Sequence, residues 1–175
     1  MATVFVLAWS SERHAEPNKR ECDVLGAERL THWSLAVKNL AESEAFYRDF
    51  LGLDYAGHLG GPQASVPQAS VFRVGDSSFI LWETGLDADP RLRDAGVHYA
   101  FTVRPEVWDR AVIAIHDANL ELKGPIVYRS KGTFLGREIY LLDPSGNTVE
   151  LTDPTWVEGM PEPTFEEIVG AAITS

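Results

Sequence analysis

Apolar and polar residues alternate along Leu30 to Val37 (L-T-H-W-S-L-A-V) and again along Gly96 to Val103 (G-V-H-Y-A-F-T-V). At one constant offset His32 meets His98, Trp33 meets Tyr99, Leu35 meets Phe101 and Val37 meets Val103. Two-residue alternation with aromatic and branched side chains predicts a strand in both places. Each strand leads into a helical pattern. In the first, Asn39 is a capping residue with Glu42 three positions on, Phe46, Tyr47, Phe50 and Leu51 form the apolar stripe, and Gly52 stops it. In the second, Pro105 suits the first turn, Val107, Trp108, Ala111, Val112 and Ile115 form the stripe, and Asn119 stops it. Strands follow at Ala69–Val74 and Phe79–Glu83, and at Glu138–Leu142 and Thr148–Thr152, with turns at Gly75-Asp76 and Asp143–Asn147. The strand after each helix is weakly marked. The expectation is an α+β fold of two β-α-β-β-β modules, residues 30–84 and 96–153, which together form a curved mixed sheet around a shared cavity.

The core of that pattern, residues 30–153, is flanked by two additions. Residues 1–29 read as an N-terminal extension: an apolar segment from Thr3 to Trp9, suited to covering a sheet edge or a partner, then a polar stretch. Residues 154–175 read as a tail with Pro161, Pro163 and a short helical pattern from Phe165 to Ala172. Gly57–Gln68, rich in Gly, Pro and Ser, reads as a loop beside the cavity.

Composition narrows the choice of partner. The 175 residues carry 15 Lys and Arg against 26 Asp and Glu, a formal net charge of −11. Such a chain is not expected to bind nucleic acid, which needs clustered cations, nor an anionic membrane surface. No run approaches the length of a membrane span. A single cysteine, Cys22, excludes an intrachain disulfide and a multi-thiolate metal site. The apolar opening lacks the basic stretch of a secretory signal, so the cytoplasm is the expected location.

Three residues combine into candidate chemistry. His32 and His98 occupy matched positions of the repeat, and Glu150 lies on the last strand with Thr148 and Thr152 on its face. A carboxylate in a core-type strand is costly to bury unless paired or bound to metal. Two imidazoles and a carboxylate converging from three strands make a facial metal site with open positions. A lone strand histidine is more often a satisfied core residue; it is the matched pair that favours ligands. The spacing from His32 to Glu83 nearly equals that from His98 to Glu150, which makes Glu83 a possible fourth ligand, although local register places Leu81 at the position of Glu150. His58 is a candidate general base at the start of the loop, with a solvated histidine as the alternative.

Thr31–Val37, Phe46–Leu53 and Gly136–Leu151 together resemble the vicinal oxygen chelate superfamily, which includes glyoxalase I, bleomycin-resistance proteins, extradiol dioxygenases and fosfomycin-resistance enzymes. The resemblance covers residues 30–153. It implies paired βαβββ modules and one divalent metal per site (Fe, Mn, Ni, Zn or Co) held by His32, His98 and Glu150. In glyoxalase I a glutamate closing the first module is a fourth ligand, and Glu83 is the candidate. The resemblance also places Tyr140 facing the metal, as in fosfomycin enzymes and extradiol dioxygenases, and Ser34 where the former carry a threonine. The segment Leu151–Trp156 lacks the arginine that holds the phosphonate in those enzymes.

The implied activity is that of a divalent-metal-dependent enzyme acting on a small oxygen-chelating substrate, with dioxygenase-like chemistry slightly favoured by a three-ligand face. A glyoxalase I-like lyase using Glu83 is one alternative. A non-catalytic binding protein of the antibiotic-resistance type, with Trp33 and Tyr99 lining an aromatic cavity, is another. A homodimer is expected, since members of the superfamily often pair modules between chains.

Overall fold

The computed structural model describes residues 29–59 and 69–174. The expectations for Thr3–Trp9, for the rest of the extension through residue 28, for Cys22 and for most of the Gly57–Gln68 stretch fall outside the described residues. Two modules are present. The first runs β1 (His32–Val37), α1 (Leu40–Glu44), a π-helical continuation (Ala45–Phe50), β2 (Asp54–His58), β3 (Ala69–Val74) and β4 (Ser77–Glu83). A short α2 (Pro90–Asp94), absent from the sequence reading, links it to the second. The second runs β5 (Tyr99–Thr102), a 3-10 turn (Pro105–Val107), α3 (Trp108–Asp117), β6 (Val127–Arg129), β7 (Gly136–Leu142) and β8 (Thr148–Asp153), followed by α4 (Phe165–Ile173).

Each module is one four-stranded mixed sheet of the same topology, β1-β4-β3-β2 and β5-β8-β7-β6. The first and last strands of each module pair in parallel and the others antiparallel. The local signals behave as expected. Asn39 accepts from the Glu42 N–H at 3.1 Å, Gly52 ends the first helix at φ +73, and Asn119 ends α3 at φ +49. The weakly marked strands prove short or irregular: β2 carries a bulge between Tyr55 and Gly57, and β6 has three residues.

Alternation assigns each sheet two faces. Leu35, Val37, Phe79, Leu81, Phe101, Ile139, Leu141, Val149 and Leu151 are buried in one core with Phe46, Tyr47, Trp108, Val112 and Ile115 from the helices. The Phe79 ring lies 5.0 Å from Tyr47, 6.3 Å from Tyr99 and 6.0 Å from Phe101, so both modules share it. The tail contributes too: Trp156, Ile168 and Val169 are buried, and Thr164 and Glu167 form a reciprocal capping box on α4.

A polar hub fastens the modules to one another. Asp143, 4% exposed, accepts the Tyr47 hydroxyl at 2.9 Å from the first module. It also accepts the N–H groups of Ser145 and Asn147 at 2.9 and 2.8 Å. The same turn receives the Lys38 N–H on Ser145 Oγ, and it gives Asn147 Nδ2–H to the Ala36 carbonyl. Burial, then the Asp143 charge, raises the Tyr47 phenol well above its ordinary value, so it stays a donor.

Two substitutions test this framework by urea unfolding. Asp143→Ala strands a buried hydroxyl, the buried Ser145 N–H and the half-buried Asn147 N–H and is expected to cost about 3 kcal/mol, against about 1 kcal/mol for Tyr47→Phe. Gly136, at φ +125, would place a Cβ 2.3 Å from the Asp153 carbonyl oxygen. Gly136→Ala is therefore expected to cost about 2–4 kcal/mol through backbone strain and overpacking.

Candidate active site

His98 precedes β5, and Glu150 lies on β8 with Ala100 as its cross-strand partner on β5. His98 Nε2 is 2.9 Å from Glu150 Oε2, and Nδ1 donates to the Gly96 carbonyl at 2.7 Å. Fixing the proton on Nδ1 leaves Nε2 as the basic nitrogen, the arrangement a metal-ligating histidine ordinarily has. Glu150 is 6% exposed. Its carboxyl is raised above the usual range, first by burial and then by the Glu138 charge; Tyr140, His98 and Arg129 oppose the shift.

Tyr140 pairs with Glu150 across β7 and β8, and its ring stands edge-on to His98 at 5.6 Å. Its hydroxyl donates to Glu138 Oε2 at 3.0 Å, and the same oxygen accepts Arg129 Nε–H at 2.7 Å. Burial, the hydrogen bond to Glu138 and the flanking carboxylates push the phenol up to about 12. These groups floor a cleft of about 630 Å³, whose rim is the β6–β7 loop through Lys131, Phe134 and Leu135. Phe134 is 77% exposed there.

Sequence reasoning missed Glu138 and Arg129. The signal was available: Glu138 stands two residues before Tyr140 on the same strand face, and the argument applied to Glu150, a carboxylate in a core-type strand, applies to it equally. At 1% exposure it is among the most buried side chains of the protein.

The remaining expected site residues separate by strand face. His32 and Ser34 are exposed on one face of β1, opposite Ser78 and Ile80 of β4. No described contact joins them to His98 or Glu150, and among the described residues no three His, Cys, Asp or Glu side chains converge. Four assignments are corrected. Trp33 and Tyr99 do not line the cleft: alternation turns them into the shared core, where Trp33 stacks on Phe79 at 5.2 Å and Tyr99 packs against the same ring. Glu83 pairs with Val37, on the face opposite His32, and accepts the Leu40 N–H at 3.2 Å. The β1–β4 register makes Ile80, not Leu81 or Glu83, the counterpart of Glu150. His58 pairs with Ser70 on the helix-packed side, where its Nε2 meets Glu44 Oε1 at 2.7 Å.

The Glyoxalase/Bleomycin resistance protein/Dioxygenase superfamily model matches residues 29–151. The match spans most of the chain and both βαβββ modules, and the chain belongs to this superfamily. No curated protein is significantly similar to it in sequence. Among solved structures, it is similar to the fosfomycin resistance protein FosX from Listeria monocytogenes, complexed with Mn(II) and 1S,2S-dihydroxypropylphosphonic acid. The TM-score is 0.60 at 23% identity, over 74% of this chain and 94% of that one. A glyoxalase/dioxygenase from Nostoc punctiforme gives 0.58 at 22% identity, over 89% and 100%. FosX from Mesorhizobium loti gives 0.55 at 20%, over 74% and 94%. At these identities the likeness is one of fold. No described helix is long and apolar enough to cross a membrane.

The raised Glu150 carboxyl yields a pH prediction for metal-free protein. A carboxyl raised on folding opposes stability above its unfolded-state value and ceases to do so as pH falls below it. Glu150→Gln is expected to raise the unfolding midpoint at neutral pH, with the gain shrinking as pH drops through the carboxylate range. A gain that grows toward acid would contradict it.

Proposed function

We propose that this chain is a divalent-metal-dependent enzyme acting on a small substrate through adjacent oxygens. His98 Nε2 and Glu150 of one copy, with His32 of a second copy, would hold the ion. The observation that carries this is the His98–Glu150 pair: a tautomer-fixed imidazole nitrogen 2.9 Å from a buried carboxylate at the floor of an open cleft. The donor set, imidazole and carboxylate, suits Fe, Mn, Zn, Ni or Co. A metal bound there supplies Lewis-acid polarisation of the substrate oxygens.

The need for a second copy follows from strand alternation. Within one chain the shared core takes the faces between the modules, so the His32 face and the His98 face both point away from it. A two-fold pairing that sets the first module of each chain against the second module of the other would bring His32 to the His98–Glu150 pair. The homodimer is thus part of the site.

The chain's own residues supply the rest. Tyr140, protonated at neutral pH, gives its hydrogen to Glu138 and offers its hydroxyl oxygen to the cleft. The Phe134–Leu135 rim provides apolar surface for the non-chelating part of the substrate. With Glu83 turned to the other face, the glyoxalase I-like alternative loses its fourth ligand. The binding-protein alternative loses its aromatic wall with Trp33 and Tyr99 in the core. Three protein donors leave positions for both substrate oxygens and a further small molecule, which favours dioxygenase-like chemistry.

Metal content per chain tests the reading. Near-stoichiometric metal is expected in the wild type, and little in His98→Ala or His32→Ala. Mixing those two variants through unfolding and refolding should restore roughly a quarter of the sites if ligands come from two copies, since one site of each mixed dimer is intact. No recovery would place the site within one chain. No metal in the wild type after reconstitution would end the enzyme reading.

A further inference from the structure

We propose that Trp82 is a specificity-determining residue: it stacks on the body of a ligand chelated at the His98–Glu150 pair of the other copy and selects ligands whose adjacent oxygens are carried by a flat, conjugated group. The inference rests on the two-copy metal site proposed above and names the substrate class of that site.

The shared core takes Phe79 and Leu81 of β4, so alternation turns Ser78, Ile80 and Trp82 to the face of His32. Trp82 is half-buried there. It belongs neither to the core cluster nor to the partly buried side chains packed on that cluster. Among the described residues neither a ring nor a guanidinium packs on its indole. Trp33 and Tyr99 are spent on the core, and Trp82 is the aromatic side chain that the first sheet turns outward.

Register places Trp82 where the second module has Thr152. Ala36 and Ala69 flank the former across the neighbouring strands, and Thr102 and Glu138 flank the latter. Thr102, Glu138 and Thr152 all line the cleft. At the matched level the first module thus carries an indole between two methyl groups, which leave space beside it that larger side chains would fill. His32 and Trp82 share one face of one hydrogen-bonded sheet, so a pairing that delivers His32 to the other copy's His98–Glu150 pair delivers Trp82 with it. Trp82 stands two residues, about 7 Å, beyond Ile80, the counterpart of Glu150. That is the reach of a ring carried on the chelating oxygens. An aliphatic body would give the indole contact area alone; a conjugated ring adds offset stacking on its face.

The test compares two chelators with one head, acetohydroxamate and benzohydroxamate, by calorimetry on the full-length chain loaded with Zn(II). Wild type is expected to favour benzohydroxamate by about tenfold or more, and Trp82→Ala, with wild-type Zn(II) content, to retain a preference of only about twofold. Trp82→Phe should restore most of it. In wild type labelled with 5-fluorotryptophan, the ¹⁹F signal lost in Trp82→Phe should move on adding benzohydroxamate. A Trp82→Ala protein that holds Zn(II) and keeps the full preference overturns the proposal. So does a stationary Trp82 signal at saturating benzohydroxamate, a readout that stands even where the alanine variant does not fold. A preference abolished by Phe134→Ala and untouched by Trp82→Ala assigns the ring to the rim and overturns it equally. Failure of the metal reading looks different: wild type then takes up no Zn(II) or binds neither hydroxamate, and both proposals fall together.

Discussion

Both modules close on the ring of Phe79. Trp33 and Phe72 come to it from the first sheet and Tyr99 and Phe101 from the second, with Tyr47 reaching down from the helix. In a strand with a two-residue period, sending Trp33, Leu35 and Val37 into that cluster turns His32, Ser34 and Ala36 the other way. The same holds for Tyr99 and Phe101 against His98, Ala100 and Thr102. The aromatic core thus fixes where chemistry can occur: on the outward faces, which do not meet within one chain.

The repeat is symmetric in backbone and asymmetric in chemistry. Register matches Glu150 with Ile80, Tyr140 with Val71 and Glu138 with Ala69. The second module carries an imidazole, two carboxylates, a phenol and a guanidinium on its outward face; the first carries His32 there beside Ser34, Ser78 and Arg73, with Ile80 and Val71 where the second has Glu150 and Tyr140. The carboxylates and the phenol are thus confined to one of the two sheets.

Much of this was legible in the sequence. The matched strands, the Asn39 cap, the Gly52 and Asn119 stops and the Asp143–Asn147 turn are local signals, and local hydrogen bonding enforces them. The three-residue β6 and bulged β2 are held by pairing with neighbours, which no local signal carries. Glu83 was misplaced because a register slip exchanges strand faces, and a count of residues between His and Glu does not see a slip. Trp33 and Tyr99 looked like pocket aromatics because sequence alone does not tell which side of an alternating strand the core will take. His58 looked like a base because Glu44, its partner, lies on a separate element.

The Nδ1 bond from His98 ends on a backbone carbonyl, that of Gly96, where the linker turns at φ +85 just beyond α2. A side-chain partner can be lost by one codon change; a carbonyl cannot. The electron-donating power of the imidazole is therefore written into the path of the inter-module connection, and it drifts only if that connection changes length or course. A change of length between Leu86 and Val97, the stretch that runs directly into His98, would alter that hydrogen bond while leaving the His98 and Glu150 side chains themselves unchanged.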